Sequence, residues 1–330
     1  MNNHFLEKLY VKGKKLNICN FNLESKLLSA SISTLGATLR DLKFQNKKNS
    51  LVLKYKKNID YINDENYLGC TVGRYANRLT SNTIKLDKKN YNFYCNNEEK
   101  SILHSGKYGF NFKNWNVLNF GKNFVSLGLF DDEILGSFPG NLYANCIYII
   151  MDNKLIIIYL GTTDKTTLCN ITNHTYFCLD DSGNINNHFV KIFSNKFLPT
   201  DNDCIPTGEI SSVKNTKYDF EKLKKIDQLN IDNNYCFENT NKIKKIAFVK
   251  SSISKFSMSL YSSATGVQFY TGHNLKKLNS SNKNFYPRSA FCLETQSWPN
   301  SPNNPNFPSA ILLPENKFFQ INIFSFKDGD

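Results

Sequence analysis

The sequence predicts an all-β fold, a large antiparallel β-sandwich or barrel. The dominant pattern is an alternation of apolar and polar residues, seen in the second half of FFQINIFSF at 318–326, as expected for a half-buried strand. Convincing helical patterns are scarce, and neither an internal repeat nor a Gly/Ser-rich linker divides the chain. We therefore expect residues 1–330 to form a single domain.

Three pairs of strand-like segments, each joined by a short turn, predict β-hairpins. The turns contain Asp-Asn-Lys at 152–154, Gly-Lys-Asn at 121–123 and a glycine at 266, which are residues that favour reversals of the chain. The paired segments are 145–151 with 155–160, 115–120 with 124–130, and 258–262 with 267–271.

Only the segment 219–229 has a helical pattern. Its apolar residues recur every three positions, and Asp219 is a possible amino-terminal cap. These residues are Phe220, Leu223, Ile226 and Leu229. The pattern predicts one short helix.

The composition is that of a globular protein with a basic surface. The chain has 40% hydrophobic residues and a formal net charge of +13, but its lysines are spread along the sequence in short runs rather than gathered in one stripe. We therefore expect no nucleic-acid partner. Arginine occurs only at positions 40, 74, 78 and 288, and in a lysine-rich chain it indicates a need for the planar, multi-donor guanidinium group.

Several features predict a cytoplasmic protein without a membrane partner. The most apolar stretch, 146–160, is interrupted by polar residues and is shorter than the roughly 20 residues of a membrane-spanning helix. The amino-terminal segment lacks the apolar region and cleavage site of a secretory signal. Nine cysteines occur singly, at 19, 70, 95, 146, 169, 178, 204, 236 and 292. This spacing is typical of reduced thiols and supports neither a disulfide framework nor a cysteine-bound zinc.

Three residues are candidates for proton transfer. His104 and His174 lie in the segments LHSG and TNHTYF, and an imidazole with a pKa near 6.5 suits acid–base chemistry. Glu294 ends the apolar run AFCLE, and glutamate is seldom buried without a partner.

Other polar residues are candidates for ligand binding or for structure. Asp232 lies in IDNNY, although Asp-Asn-Asn is equally suited to a turn. Arg74 and Arg78 lie in GRYANRL, and on a strand two positions four apart share a face.

Motifs for other site types are absent from the sequence. It contains no phosphate-binding G-x-x-x-x-G-K-[ST] loop, no G-x-G-x-x-G, no H-E-x-x-H and no G-x-S-x-G. We therefore expect no cofactor, no metal and no serine nucleophile. The remaining set of His, carboxylate, Arg, Asn, Gln and aromatic residues suits a polyhydroxylated ligand, because planar polar groups bind neighbouring hydroxyls and flat rings cover apolar faces.

Taken together, eight motifs resemble those of the aldose 1-epimerase (galactose mutarotase) family, in the family's order from about residue 30 to the carboxyl end. They are GATLRDL at 36–42, GRYANRL at 73–79, LHSG at 103–106 with Trp115 downstream, FPGNL at 138–142, TNHTYF at 172–177, LPTD at 198–201 with IPTGE at 205–209, GVQFYTG at 266–272, and FCLETQ at 291–296 before a proline-rich loop.

The resemblance implies a β-sandwich of the galactose-mutarotase type and interconversion of the α and β anomers of free hexoses such as glucose and galactose. Glu294 would be the general base, His174 the general acid, and His104 an assistant at the ring oxygen. The residues implied to hold sugar hydroxyls are Asn77, Arg78, Asp232 and Gln268. The partner would be the sugar, and the chain a monomer or homodimer.

Three positions depart from the family's pattern. Ser105 replaces a glycine beside His104. The segment NIDNNY at 230–235 keeps Asp232 but has lost a neighbouring histidine and a glycine. After Gly272 an expected asparagine is displaced by one position, so that His273 precedes Asn274. The last two departures leave the sugar preference near Asp232 open.

Alternative functions remain at this stage. A hexose-6-phosphate 1-epimerase of the same superfamily would need an additional cationic cluster for the phosphate. A sugar-binding protein that has lost catalysis is a second alternative, because fold does not fix function. A glycosidase fits less well, because it uses two carboxyl groups rather than a carboxylate and an imidazole.

Overall fold

The computed structural model describes residues 4–11, 14–45, 47, 49–62, 64–80, 83–86, 89–92, 101–133, 138–240, 242–276 and 285–329. Of the residues named above, Cys95 lies outside these ranges. Among the described residues, no helix has both the length and the apolar character to cross a membrane.

The largest element is a nine-stranded antiparallel sheet. In spatial order its strands are β10 (Asn116–Phe120), β11 (Phe124–Asp131), β12 (Leu142–Met151), β13 (Lys154–Thr163), β27 (Phe318–Lys327), β23 (Ser257–Ser262), β22 (Lys244–Ser251), β17 (His188–Ile192) and β20 (Lys224–Lys225). Two of the predicted hairpins, β10–β11 and β12–β13, are confirmed here, with Met151 opposite Lys154 at the tighter turn.

A six-stranded antiparallel sheet packs against it. Its strands, in order, are β16 (Tyr176–Phe177), β25 (Phe291–Gln296), β24 (Gly266–Tyr270), β21 (Asp232–Cys236), β18 (Lys196–Phe197) and β19 (Ser211–Ser212). A shared apolar core lies between the two sheets: the ring of Phe177 lies 5.2 Å from that of Phe324, and Thr295 Oγ1 donates a hydrogen bond to Asn322 Oδ1. The predicted antiparallel sandwich is thereby confirmed.

The remaining sheets have four strands or two. A four-stranded sheet contains β1 (His4–Val11), β2 (Lys14–Glu24), β3 (Leu28–Ser33) and β4 (Thr38–Phe44). Two-stranded pairs are β5 (Thr71–Val72) with β15 (Thr172–Asn173), β6 (Arg78–Thr80) with β9 (Ser101–Leu103), β7 (Thr83–Leu86) with β8 (Lys89–Asn92), and β14 (Thr167–Leu168) with β26 (Ile311–Leu312). Within the described ranges, the complete helical elements are α1 (Ile59–Ile62) and single 3₁₀ turns at Gly106–Tyr108, Phe110–Phe112 and Ser301–Asn303.

The third predicted hairpin is wrong. Its two segments are strands, β23 and β24, but β23 pairs with β22 and β27, whereas β24 pairs with β21 and β25. The chain passes from one sheet to the other between Ser262 and Gly266. Alternation therefore located the strands correctly, but it could not give their partners.

The predicted helix at 219–229 is also wrong. The segment consists of turns around the two-residue strand β20, which pairs with β17. Phe220 and Ile226 are fully buried in the shared core, whereas Leu223 is exposed. The three-residue spacing therefore reflects a chain that touches the core at intervals, rather than one face of a helix.

Candidate active site

A pocket of about 250 Å³ opens on the outer face of the six-stranded sheet. Because side chains alternate along a strand, residues two apart share a face. Phe291 and Leu293 of β25 therefore enter the core, whereas Glu294 between Leu293 and Thr295 faces the pocket. Gln268 lies directly opposite Glu294 on β24, and Asp232 on β21 also lines the pocket.

The paired strands β6 and β9 and the residues beside them bring Asn77, Arg78 and His104 to the same pocket. Strands β6 and β9 pair with Arg78 opposite Leu103, so that His104 follows directly beside Asn77. The backbone N–H of Asn77 donates a hydrogen bond of 3.1 Å to His104 Nδ1. A neutral His104 therefore carries its proton on Nε2, which makes that nitrogen a donor.

The Ser105 departure is accommodated by local hydrogen bonds. Ser105 has a left-handed backbone (φ 66°), the conformation for which glycine is usually chosen. Its hydroxyl accepts a hydrogen bond from Tyr75 N at 2.9 Å and donates one to Tyr75 O at 3.3 Å. The serine thus ties the turn that carries His104 to the segment that carries Asn77.

His174 and Glu294 form a buried pair. His174 follows β15, and its Nε2 lies 3.6 Å from Glu294 Oε1; the other ring nitrogen, Nδ1, lies 3.6 Å from Cys292 Sγ. His174 is 5% exposed and Glu294 only 2%. Glu294 Oε2 has no hydrogen-bond partner, and neither has the buried Oε1 of Gln268.

Burial shifts the pKa values of this pair in opposite directions. Desolvation, followed by the charge of Asp232, raises the pKa of Glu294 well above its usual 4.5. Desolvation lowers the pKa of His174 to about 4. Desolvation, with the nearby His174 and Arg78, holds the pKa of His104 well below 6.5. His104 is therefore neutral at pH 7 and acts as a hydrogen-bond donor, whereas His174 is coupled to a proton-holding carboxyl group.

On the polar side of the pocket, Gln268 lies between Glu294 and Asp232 and bonds to Asp232. Its Nε2 donates a hydrogen bond of 2.7 Å to Asp232 Oδ1, and burial raises the pKa of Asp232. The positive charge of Arg78 acts on both Asp232 and His104. The structure thus brings together all seven site residues named from the sequence around one pocket: Asn77, Arg78, His104, His174, Asp232, Gln268 and Glu294.

The other two departures leave the pocket wall largely intact. Asn233, where the family has a histidine, faces away from Asp232 and donates a hydrogen bond to Leu198 O at 3.2 Å. Asn274 lines the pocket despite its displacement. The extra His273 packs against Tyr270, with 5.3 Å between ring centroids, and lies close enough to Asp232 for their charges to interact.

Arg74 and Arg78 do not share a strand face. The segment becomes a strand only at Arg78, and Arg74 points away into the interior. Arg74 Nε donates to Asp131 Oδ2 at 2.7 Å, Nη2 donates to Asp131 O, and Nη1 reaches Pro139 O, Gly140 O and Thr167 Oγ1. Arg74 therefore has a structural role in linking these segments, and of the two arginines only Arg78 lines the pocket.

The sequence reasoning missed an aromatic wall. Tyr67 lies 4.6 Å from the His104 ring and 5.9 Å from the His174 ring, and Tyr176 and Tyr270 complete the wall. The two-residue repeat of a strand would have indicated Tyr176 and Tyr270, because each lies two residues after a pocket residue, His174 or Gln268. Nothing in the sequence around Tyr67 distinguishes it from a core aromatic.

Among the described residues, two clusters contain side chains that could bind a metal ion, but the tautomers of His104 and His188 disfavour one. They are His104 with His174 and Glu294, and Cys178 with Asp180 and His188. Nδ1 of His104 and Nε2 of His188 each accept a backbone N–H, so the nitrogen that faces the cluster carries the proton. A protonated nitrogen has no free lone pair for a metal. This favours proton transfer at the first cluster and a structural role for the second.

Comparisons with known proteins agree on one family. The family model described as aldose 1-epimerase matches residues 20–323. The chain is 34% identical over 322 residues to the galactose mutarotase of Homo sapiens, covering 93% of each protein. It is 31% identical over 285 residues to the aldose 1-epimerase of Haemophilus influenzae, covering 81% of this chain and 83% of that protein.

A solved structure supports the same assignment. The GalM/aldose epimerase homologue from C. elegans superposes with a TM-score of 0.88 at 28% identity, covering 94% of this chain and 99% of that one. The chain belongs to the aldose 1-epimerase family.

Proposed function

We propose that the protein is a mutarotase that interconverts the α and β anomers of free hexoses such as glucose and galactose, with Glu294 and His174 as its proton-transfer pair. The observation that carries this proposal is the buried, unpartnered Oε2 of Glu294, in a carboxyl group whose other oxygen lies 3.6 Å from His174 Nε2. A buried acceptor without a donor indicates a place for a ligand hydroxyl.

Ring opening needs a base at the C1 hydroxyl and an acid at the ring oxygen. Glu294 takes the C1 hydroxyl proton while protonated His174 gives its proton to the ring oxygen, and the bond between C1 and that oxygen breaks to leave an aldehyde. The aldehyde turns about the C1–C2 bond. The hydroxyl formed from the ring oxygen then attacks the other face of C1 and returns its proton to His174, while Glu294 returns its proton to the oxygen on C1.

The pair holds one proton whenever it is ready to react. Before opening, this proton is on His174 and the pair is a carboxylate with an imidazolium. After opening, Glu294 is protonated and His174 is neutral, which is the state that burial favours. The two states differ by one proton passed through the sugar, so the pocket stabilises the products of the opening step without any net gain or loss of charge.

The other pocket residues bind and orient the sugar. His104 donates from Nε2 near the ring oxygen. Gln268 offers an unpartnered Oε1, and Asp232 accepts from hydroxyls. Asn77 and Arg78 supply planar donors, whose geometry matches pairs of neighbouring hydroxyls. Fixing the sugar in this way turns the proton transfers into steps within one complex.

The charge balance favours a neutral sugar over a phosphosugar. Among the described residues that line the pocket, the cations are Arg78 and Lys276, and the carboxylates are Glu65, Asp232 and Glu294. Lys276 Nζ is already paired with Glu65 at 3.1 Å. A phosphate would find no surplus of cations there.

Polarimetry tests the proposal directly. Freshly dissolved α-D-glucose and α-D-galactose should reach their equilibrium rotation much faster with the purified protein than without it, and the same protein after heat inactivation serves as the control. The mutarotation of glucose 6-phosphate should be accelerated far less. Acceleration of the phosphosugar alone would favour the hexose-6-phosphate alternative, and no acceleration of any sugar would favour a binding protein that lacks catalysis.

A further inference from the structure

The short segment from Asp64 to Leu68 carries Tyr67, a residue of the pocket wall that packs against both histidines of the site. The centroid of the Tyr67 ring lies 4.6 Å from that of His104 and 5.9 Å from that of His174. The two imidazoles are themselves 5.4 Å apart and meet edge to face. A single aromatic ring therefore contacts both groups that the mechanism directs at the sugar's ring oxygen.

Tyr67 reaches this position through an unusual backbone conformation. Its φ is 56°, in the left-handed region that residues other than glycine seldom adopt. Such a conformation persists only where the surrounding contacts enforce it. The contacts that hold Tyr67 in place should therefore lie on the residues beside it.

The buried carboxylate of Asp64 supplies those contacts. Asp64 Oδ1 accepts a hydrogen bond of 2.8 Å from Asn66 N, and Oδ2 accepts one of 2.5 Å from Leu68 N. The two oxygens of one side chain thus hold the backbone N–H groups of the residues on either side of Tyr67. Asp64 is 5% exposed, so water is largely excluded from these bonds.

Further hydrogen bonds anchor the carboxylate to the pocket rim. Tyr55 OH donates to Asp64 Oδ1 at 2.7 Å and accepts from Asn66 Nδ2 at 3.0 Å. Asn66 also bonds to the backbone of Lys276, donating from Nδ2 to Lys276 O and accepting from Lys276 N at Oδ1, at 2.9 Å each. Because Asn66 and Lys276 both line the pocket, this network joins two parts of its rim into one frame.

The backbone of His174 is held separately from this network. Gly69 N donates to His174 O at 3.0 Å, and His174 N donates to Cys70 O at 2.9 Å. Neither bond involves Asp64, so the backbone of His174 keeps its partners when the carboxylate is removed. An effect of Asp64 on the histidines should therefore pass through the Tyr67 ring.

We propose that Asp64 is a positioning residue of the mutarotation reaction and acts through Tyr67, whose ring holds His104 and His174 in line with the sugar's ring oxygen. This inference rests on the proposed function. Without the carboxylate, the Tyr67 backbone relaxes, its ring leaves the imidazoles and the proton transfers lose their alignment. The residues proposed to hold the sugar hydroxyls lie on other segments, so kcat falls while KM stays nearly unchanged.

A double-mutant cycle on kcat tests the proposal. Asp64→Asn places an amide N–H₂ group against one of the two backbone N–H donors, and Tyr67→Ala removes the ring. Each variant should lower kcat by about tenfold and change KM by less than about twofold, because misplaced groups slow the reaction more than they weaken binding. The double variant should also lose about tenfold, whereas independent effects would multiply to about 100-fold. Tyr67→Phe keeps the ring and should keep most of kcat.

Loss of folded protein cannot imitate this result, because it would multiply with the effect of Tyr67→Ala. Asp180→Asn is the matched control. The Asp180 side chain is 1% exposed and accepts hydrogen bonds from Ser182 N at 3.0 Å and Ser251 Oγ at 2.5 Å, but it does not line the pocket. This variant should lower the melting temperature and leave the kcat of folded protein unaltered. If Asp64→Asn does not fold, Tyr55→Phe removes one donor to the carboxylate and carries the same cycle with a smaller loss.

Three outcomes would overturn the proposal and leave the proposed function standing. They are losses that multiply in the double variant, a folded Asp64→Asn variant with wild-type kcat, and a Tyr67→Phe variant as slow as Tyr67→Ala. A wild type that does not accelerate mutarotation would instead overturn the proposed function, and with it the role of Asp64.

Discussion

The two outer faces of the sandwich depart from the usual pattern in opposite ways. Both sheets send apolar residues inward to one shared core. On the six-stranded sheet, the outward positions carry buried polar groups, among them Gln268 and Glu294 with unpartnered oxygens. On strands β12, β13 and β27 of the nine-stranded sheet, the outward positions carry mainly aliphatic residues that remain partly exposed.

This difference separates the residues that take part in the chemistry from those that do not. A buried polar atom without a partner is energetically unfavourable in an isolated chain, so it indicates a group that binds there. On the pocket face this group is a hydroxyl of the proposed sugar. Substitutions on the pocket face should therefore change turnover, whereas substitutions at exposed positions of the nine-stranded sheet should leave turnover unaltered.

The largest effect is expected for Glu294→Gln, which should reduce kcat for mutarotation by at least 10²-fold while sugar binding is mostly retained. The amide matches the carboxyl group in shape but cannot accept the proton in the transition state. Coupled kinetic assays or polarimetry give kcat, and calorimetric titration gives sugar affinity. Glu65→Gln is the matched control, because Glu65 lies at the pocket but is exposed and paired with Lys276. A Glu294→Gln variant with more than about a tenth of wild-type kcat would remove the general base from the mechanism.

The next effect separates the two histidines. His174→Asn should reduce kcat by about 10² to 10⁴-fold, as expected for a general acid. His104→Asn should change both kcat and KM by roughly tenfold, because His104 is held neutral and contributes a hydrogen bond rather than a proton. Steady-state kinetics of both variants provides the test. Equal losses of kcat, or a greater loss at His104, would exchange the two roles.

A smaller effect distinguishes the two arginines. Arg78→Lys should lower kcat/KM by a few-fold to tenfold, because one ammonium cannot reproduce the fixed donors of the guanidinium group, and a lost hydrogen bond costs about 0.5–1.5 kcal/mol. Arg74→Lys should leave the kcat/KM of folded enzyme near wild type but lower the melting temperature by about 5 °C, because it disrupts a buried network around Asp131. Wild-type kinetics for Arg78→Lys would exclude Arg78 from sugar binding.

The sequence could predict which residues form strands but not all of their partners. Alternation is a local property, and together with the turn residues between them it located β12, β13 and β27. Glu294 was singled out by the apolar run that it ends, and Gln268 by the family resemblance. The choice of sheet at Gly266 depends on contacts far along the chain, which is why the hairpin between β23 and β24 was predicted wrongly. The helix prediction for 219–229 was wrong for a related reason, because burial of Phe220 and Ile226 in the core determines the conformation of this segment.

The site residues were predictable to the extent that they lie in recognisable motifs. His104, His174 and Glu294 stand in such motifs, and the structure places them at one pocket. No sequence pattern singled out Tyr67, because a loop rather than a strand places its ring beside that of His104. The apolar outer face of the nine-stranded sheet could not be predicted from the sequence, because the inward and outward positions of β12 and β13 are both largely apolar and only burial in the structure distinguishes them.

The pH dependence of kcat/KM tests the central claim that Glu294 and His174 share one proton in the reactive enzyme. In the wild type, activity should fall below about pH 4, where the pair takes up a second proton on His174. Activity should fall again as the pH rises through the raised pKa of Glu294, where the pair loses its only proton. In His174→Asn the alkaline fall should disappear, because the carboxylate alone is then the active form, and residual activity should rise with pH to a plateau. These profiles are measured by polarimetry with the spontaneous rate subtracted at each pH. The same single rising limb in both proteins would contradict the shared proton.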